Sequence, residues 1–225
     1  MAQSAPPNGF AGIALACRRG ERIVFERLDF ALLPGGALVL TGRNGSGKSS
    51  LLRLMAGLSP PLSGALLWNG TDIAENRAAH RARLHFVGHA DALKPVLTVT
   101  EMVEFWAGMH GGGGRGGDGA AIEDALDRFG LAPLAPMPCS LLSAGQRRRV
   151  ALARLAAAPA PLWLLDEPLT GLDSDAVADL YDTIAAHRRA GGRIVVSTHA
   201  PLALEGSATL SLADFAARPL VDQFA

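Results

Sequence analysis

The stretch Gly42-Arg43-Asn44-Gly45-Ser46-Gly47-Lys48-Ser49 restricts this chain more than any other segment. Its glycines prevent a regular helix or strand from running through it. The residues ahead of it, Ala37–Thr41, form an apolar run after the Pro34-Gly35-Gly36 turn and predict a buried strand. From Lys48 to Leu58 the pattern is helical, and Ser59-Pro60-Pro61 ends it. A strand, a glycine loop and a helix at the spacing G-x-x-x-x-G-K-[ST] turn backbone N–H groups inward around a phosphate chain. The helix N-terminus adds partial positive charge at the same place. Lys48 is then expected to reach the β- and γ-phosphates, and the Ser49 hydroxyl to bind Mg²⁺, with Ser50 completing the first turn.

A second motif supplies carboxylates. Leu162-Trp163-Leu164-Leu165 is a continuous apolar run that ends in Asp166-Glu167-Pro168. Such a run reads as a fully buried strand, and strand ends of a parallel sheet are where ligands bind. Alone, the two acids would read equally well as a turn. Beside a phosphate loop, Asp166 is expected to orient Mg²⁺ through its water shell, and Glu167 to polarise an attacking water. Asp173–Arg189 reads as a helix capped by Asp173 or Ser174, and Arg193–Thr198 as another buried strand with His199 at its end. Thr209–Leu212 is a candidate last strand. The alternation predicts a parallel α/β core.

Into that core a helical segment is inserted, at about residues 90–158. It comprises Thr100–His110, Ala120–Phe129 and Ser143–Ala157, with a glycine run from His110 to Gly119 that reads as a surface loop. Short strands are expected at Ile13–Ala16, Ile23–Phe25 and Leu28–Leu33, and residues 1–12 as a flexible N-terminus before a single domain at 13–225.

Composition removes several classes. Lys+Arg and Asp+Glu are both 21, so the net charge is zero, against the basic excess of a general nucleic-acid binder. The Arg147-Arg148-Arg149 run spreads around a helix at helical spacing, and no nucleic-acid partner is expected. Cys17 and Cys139 are too far apart for a CxxC pair, so neither a disulfide scaffold nor a cysteine metal site is expected. No apolar run reaches the roughly 18 residues that span a bilayer. The N-terminus lacks the charge and apolar length of a signal peptide. The expectation is a cytosolic chain able to dock on a membrane protein.

Leu142-Ser143-Ala144-Gly145-Gln146 opens the helix that continues through Arg147 to Arg154. It resembles the LSGGQ signature of ABC-type ATPases, with Ala144 in place of the first glycine. The other motifs follow the family's order: phosphate loop, signature, Asp166-Glu167, Gly171-Leu172-Asp173, Thr198-His199. The resemblance implies an ABC-type P-loop fold, with an N-terminal antiparallel β subdomain and an inserted α-helical subdomain. It implies ATP with Mg²⁺, and a head-to-tail homodimer in which Ser143, Ala144, Gly145 and Gln146 act on the partner's ATP. His199 would contact the γ-phosphate and the attacking water, and Asp173 the opposite protomer.

Two positions depart from the family pattern. Arg19 falls near the place of the ring that stacks on adenine, and His89 stands for the glutamine of the loop leading into the helical insert. A neutral imidazole, like an amide, can accept and donate a hydrogen bond. Val87-Gly88-His89 with Leu93-Lys94-Pro95 and Leu97-Thr98 is similar to the ATP-binding subunits of cytochrome c maturation, or haem-export, systems. That implies integral membrane partners of that system, a peripheral position on the cytoplasmic face of a bacterial inner membrane, and ATP hydrolysis in the handling of haem or a haem chaperone. The alternatives are another small ABC transporter, for lipid, lipoprotein or siderophore, and an ATP-gated assembly switch. Leu93, Val96, Leu97, Met102, Phe105 and Trp106 are many large apolar residues for one short segment, so some are expected to remain exposed for a partner.

Overall fold

A computed structural model describes residues 7–110, 118–199, 202 and 204–217. At its centre lies a five-stranded parallel sheet in the order β6-β7-β8-β3-β9: β3 is Ala37–Thr41, β6 Leu84–Val87, β7 Leu162–Asp166, β8 Arg193–Ser197 and β9 Ala208–Ser211. All five residues of β7 and all five of β8 are buried. Alternation along these strands divides two cores, since neighbouring side chains point to opposite faces. Leu162, Leu164, Val195, Leu38 and Leu40 face one core, and Trp163, Leu165, Ile194, Val196 and Val39 the other.

The first core is closed by an antiparallel sheet in the order β2-β1-β4-β5 and by helix α1, Lys48–Met55. Here β1 is Phe10–Arg19, β2 Arg22–Leu32, β4 Ser63–Trp68 and β5 Thr71–Asp72. The second core is closed by α3 (Val99–His110), α4 (Gly119–Arg128), α5 (Ala144–Ala157) and α6 (Ser174–Arg189). Among the described residues, no helix is long and apolar enough to cross a membrane.

The structure moves several sequence-based boundaries. The N-terminal segment expected to be flexible through residue 12 is ordered strand from Phe10, because the Phe10 ring is buried, with Phe30 at 5.3 Å and Trp68 at 5.9 Å. Residues 1–6 lie outside the described residues. The two strands expected at 23–25 and 28–33 are one. Glu26-Arg27, which separates the two runs in sequence, lies inside the strand: Arg27 takes a φ of 54° where the register against β1 shifts between the Leu15–Leu28 and Cys17–Phe25 pairs. A short helix α2, Arg77–Ala82, capped by Asn76, was not anticipated because it buries only His80. Within the glycine run, residues 111–117 lie outside the described residues.

His85 is the most deeply placed titratable group of the sheet. Its Nε2 lies 2.9 Å from the Ala158 carbonyl, and its ring is 4.0 Å from that of His110. Burial, with the His110 ring adding to it, pushes its pKa down to about 3. The folded state therefore favours the neutral ring. As pH falls below about 6.5 the unfolded chain takes up a proton that the folded chain refuses, and stability is lost toward the folded pKa. From pH 7 to pH 5 this single group should cost about 2 kcal/mol. His85→Gln keeps a donor for Ala158 but cannot titrate. Urea unfolding at the two pH values should show a correspondingly smaller loss in the variant, while His80 and His187, also lowered by burial, act equally in both proteins.

Candidate active site

Helix α1 begins on the glycine loop with Lys48 as its first residue. Gly47 has φ 106°, and a Cβ there would lie 2.5 Å from Val24 Cγ1, so only glycine fits the turn. Lys48 is buried at 6% exposure. Its amine curls back over the loop, donating to the Gly42 carbonyl at 2.8 Å and lying 3.5 Å from that of Arg43. The Ser46 N–H closes the loop on the Arg43 carbonyl at 3.1 Å.

The ends of β7 and β8 meet beside this loop. Buried Asp166 accepts from the Ser197 hydroxyl at 2.5 Å. Glu167 follows in a left-handed conformation, φ 50°, which strains a residue with a side chain. Its N–H donates to Ser197 O at 3.1 Å and lies 3.2 Å from Ser197 Oγ. One carboxylate oxygen accepts from the His199 N–H at 3.3 Å, and the other lies 3.2 Å from His199 Nε2. The same Nε2 is 3.2 Å from the Lys48 amine. Lysine only donates, so this nitrogen accepts from Lys48 when it carries no proton, while the buried Glu167 Oε1 beside it has no hydrogen-bond partner. His199 thus bridges the phosphate loop and the carboxylate, its ring meeting Lys48 and its backbone N–H the Glu167 side chain.

These groups line one open cleft of about 360 Å³. Of the residues expected from sequence, Asn44, Gly45, Ser46, Gly47, Lys48, Ser49 and Ser50 line it, together with His89, Asp166, Glu167, His199 and Arg19. Gly42 acts through its carbonyl, and Arg43 is exposed beside the loop. Val24 and Thr170 also line the cleft and were missed, because neither residue type carries a motif.

Ser143, Ala144, Gly145, Gln146 and Asp173 do not line the cleft. Ser143 caps α5 in a reciprocal box: its hydroxyl accepts from Gln146 N–H at 3.2 Å, and Gln146 Oε1 accepts from Ser143 N–H at 2.8 Å. Ser143 and Ala144 are exposed. Asp173 caps α6 through the Ala176 N–H at 3.0 Å and pairs with Arg149; these donors hold its carboxyl below the usual range. The sequence distinguishes Arg148 only as one of three arginines spread around a helix; it is buried, and its guanidinium reaches the ends of two loops that border the cleft.

Residues 25–170 match the family model described as ABC transporter. The chain belongs to the ABC transporter ATP-binding family. It is 55% identical, over 92% of its length and 95% of the relative's, to the cytochrome c biogenesis ATP-binding export protein CcmA of Paramagnetospirillum magneticum. It is 54% identical to the CcmA of Rhodospirillum rubrum, over 95% of this chain and 89% of that one. Among solved structures, a dimeric ATP-binding cassette in a post-hydrolysis state bound to ADP and Pi superposes with a TM-score of 0.74, at 25% identity over 85% of this chain and 88% of that chain. The two sheets and the P-loop core are those of an ABC ATPase domain.

Ser197→Ala checks how the acidic strand end is held. The change leaves the buried Asp166 carboxylate without its hydroxyl donor, which should destabilise the fold by about 1–3 kcal/mol. Denaturant titration of the two proteins at neutral pH measures the difference.

Proposed function

We propose that this chain is the ATP-hydrolysing subunit of an ABC complex of cytochrome c biogenesis, acting as a homodimer against integral membrane subunits on the cytoplasmic face of the bacterial inner membrane. The observation that carries the proposal is the cleft itself. It joins a lysine amine on a glycine loop, a buried aspartate, a strained glutamate and a bridging histidine. Cargo handling, of haem or of a chaperone loaded with it, then falls to the membrane subunits and draws on the energy released here.

In this reading the phosphates of ATP lie along Gly42–Ser49, where backbone N–H groups and Lys48 offset their charge. Ser49 and Asp166 would hold Mg²⁺. Their hard oxygen donors suit that ion, and among the described residues no group of three His, Cys, Asp or Glu competes to cage another metal. Once bound, the ion neutralises charge on the phosphate oxygens. Glu167 orients the attacking water and takes its proton. His199 would leave Lys48 and donate to the γ-phosphate or to Glu167. Arg19, which lines the cleft with Val24, would cover the purine with its guanidinium. His89 faces the same space from the loop that leads to the helical insert. Because Ser143–Gln146 lie off the cleft, their exposed helix end serves the nucleotide of a second copy.

The partner surface is expected on the insert. Met102 and Trp106 are buried, whereas Val96 is 84%, Leu141 67% and Phe105 41% exposed. Ser140 N–H donates to Pro95 O at 3.0 Å, which brings Leu141 beside Val96, and Lys94 covers the Phe105 ring at 4.3 Å. Val96→Asp should abolish co-purification with the membrane subunits and leave nucleotide binding intact; loss of both together would place this residue in the fold instead.

Two substitutions separate binding from chemistry. Lys48→Ala should weaken both ATP binding and turnover. Glu167→Gln should still bind ATP and hold the dimer closed longer, with hydrolysis down by about 10²–10⁴-fold. Phosphate release from the complex with its membrane subunits reads the outcome: near wild-type turnover in Glu167→Gln refutes the role given to that residue, whereas little turnover in the wild-type complex itself favours an ATP-gated switch.

A further inference from the structure

We propose that Arg148 is a positioning residue for hydrolysis, tying the first turns of α5 to both loops that border the cleft. All five of its N–H donors have acceptors. Nη1 donates to the Gly88 carbonyl at 2.9 Å and to Asp91 Oδ1 at 3.2 Å. Nη2 donates to the carbonyls of Asp166 at 2.9 Å and Glu167 at 2.8 Å, and Nε points to that of Pro168 at 3.4 Å. The side chain is 6% exposed and Asp91 24%, so the pair is largely withdrawn from water.

The placement of these acceptors is what gives Arg148 a role beyond stability. Gly88 and Asp91 flank His89 on its loop, so the guanidinium fixes the backbone on both sides of that residue. Glu167 is held in a strained left-handed conformation by Ser197 at its N–H and by Arg148 at its carbonyl. Arg148 lies two residues beyond Gln146 in the helix that Ser143 caps. A displacement of the signature end of α5, such as engagement of a partner's nucleotide would produce, is therefore delivered at once to the Glu167 backbone and to the His89 loop. Only a planar fork with five donors meets this set; lysine has three donors on a single nitrogen and cannot reach both loops.

The inference rests on Glu167 being the base, and its test is arranged to fail separately. Turnover and nucleotide affinity are measured on the complex with its membrane subunits for wild type, Arg148→Lys, Asp91→Ala and Glu167→Gln/Arg148→Lys. Wild-type hydrolysis lost in Glu167→Gln establishes the base before Arg148 is judged. Arg148→Lys should lower kcat by about 10–100-fold, the scale expected for a small misplacement of catalytic groups, while affinity for ATP changes less than about threefold. In the Glu167→Gln background the same change should cost less than about twofold, because it acts through the missing group. A folded Arg148→Lys protein with wild-type kcat, or an equal loss in both backgrounds, overturns the proposal. Should Arg148→Lys not fold, Asp91→Ala decides, since its residue is on a partly exposed loop: a kcat reduced about threefold or more with unchanged affinity supports the role, and unchanged kcat refutes it.

Discussion

Parallel pairing of β3, β7 and β8 brings three separate sequence motifs to one edge. Ser197 is the register partner of Leu40 on one side and of Asp166 on the other. The three strands therefore end level, and the segments that follow them open onto the same space. After β3 comes the glycine loop, after β7 Glu167, after β8 His199. A slip of one residue in any pair would turn that strand's apolar set toward the wrong core. Because the sheet is buried on both faces, the register is tightly specified, and with it the distances among Lys48, Glu167 and His199.

Within that frame, polar groups are held by partners chosen for their acceptor or donor capacity. Asp166 is buried yet paired with the Ser197 hydroxyl. Glu167 sits in a backbone conformation that a side chain disfavours, and fixed bonds on its N–H and carbonyl maintain it. Burying the Arg148 charge is costly alone, and five acceptors, one of them a carboxylate, offset the loss of water. Arg149, one residue on, turns outward and pairs with Asp173 at the start of α6. Both contacts bind α5 to the segment after β7, so the signature end and the acidic strand end are mechanically one unit.

The helical insert divides its apolar residues by a similar logic. Met102, Val103 and Trp106 recur at helical spacing on the inner side of α3 and are buried with α5. Phe105 and Met109 lie on its outer side, and Val96 and Leu141 project from neighbouring turns. An apolar surface of this kind on the insert is a reason to look for a partner there, and it is supplied by two segments far apart in sequence.

Local chemistry made much of this legible in the sequence. The phosphate loop, the apolar strand ending in Asp166-Glu167 and the capped helix at Ser143 each depend on residues close together in the chain, and the glycine, serine and carboxylate types needed there have few other uses. The same locality explains why the order of strands and helices could be read in outline. What the sequence could not determine was set by contacts across long separations. Phe10 joins a strand because Phe30 and Trp68 cover it; Glu26-Arg27 lies inside a strand because β1 pairs on both sides of it. Three consecutive arginines look alike in a sequence. Only the tertiary structure buries the middle one, because the carbonyls that can satisfy its guanidinium, those of Gly88, Asp166, Glu167 and Pro168, are gathered from two loops that the chain brings together only on folding.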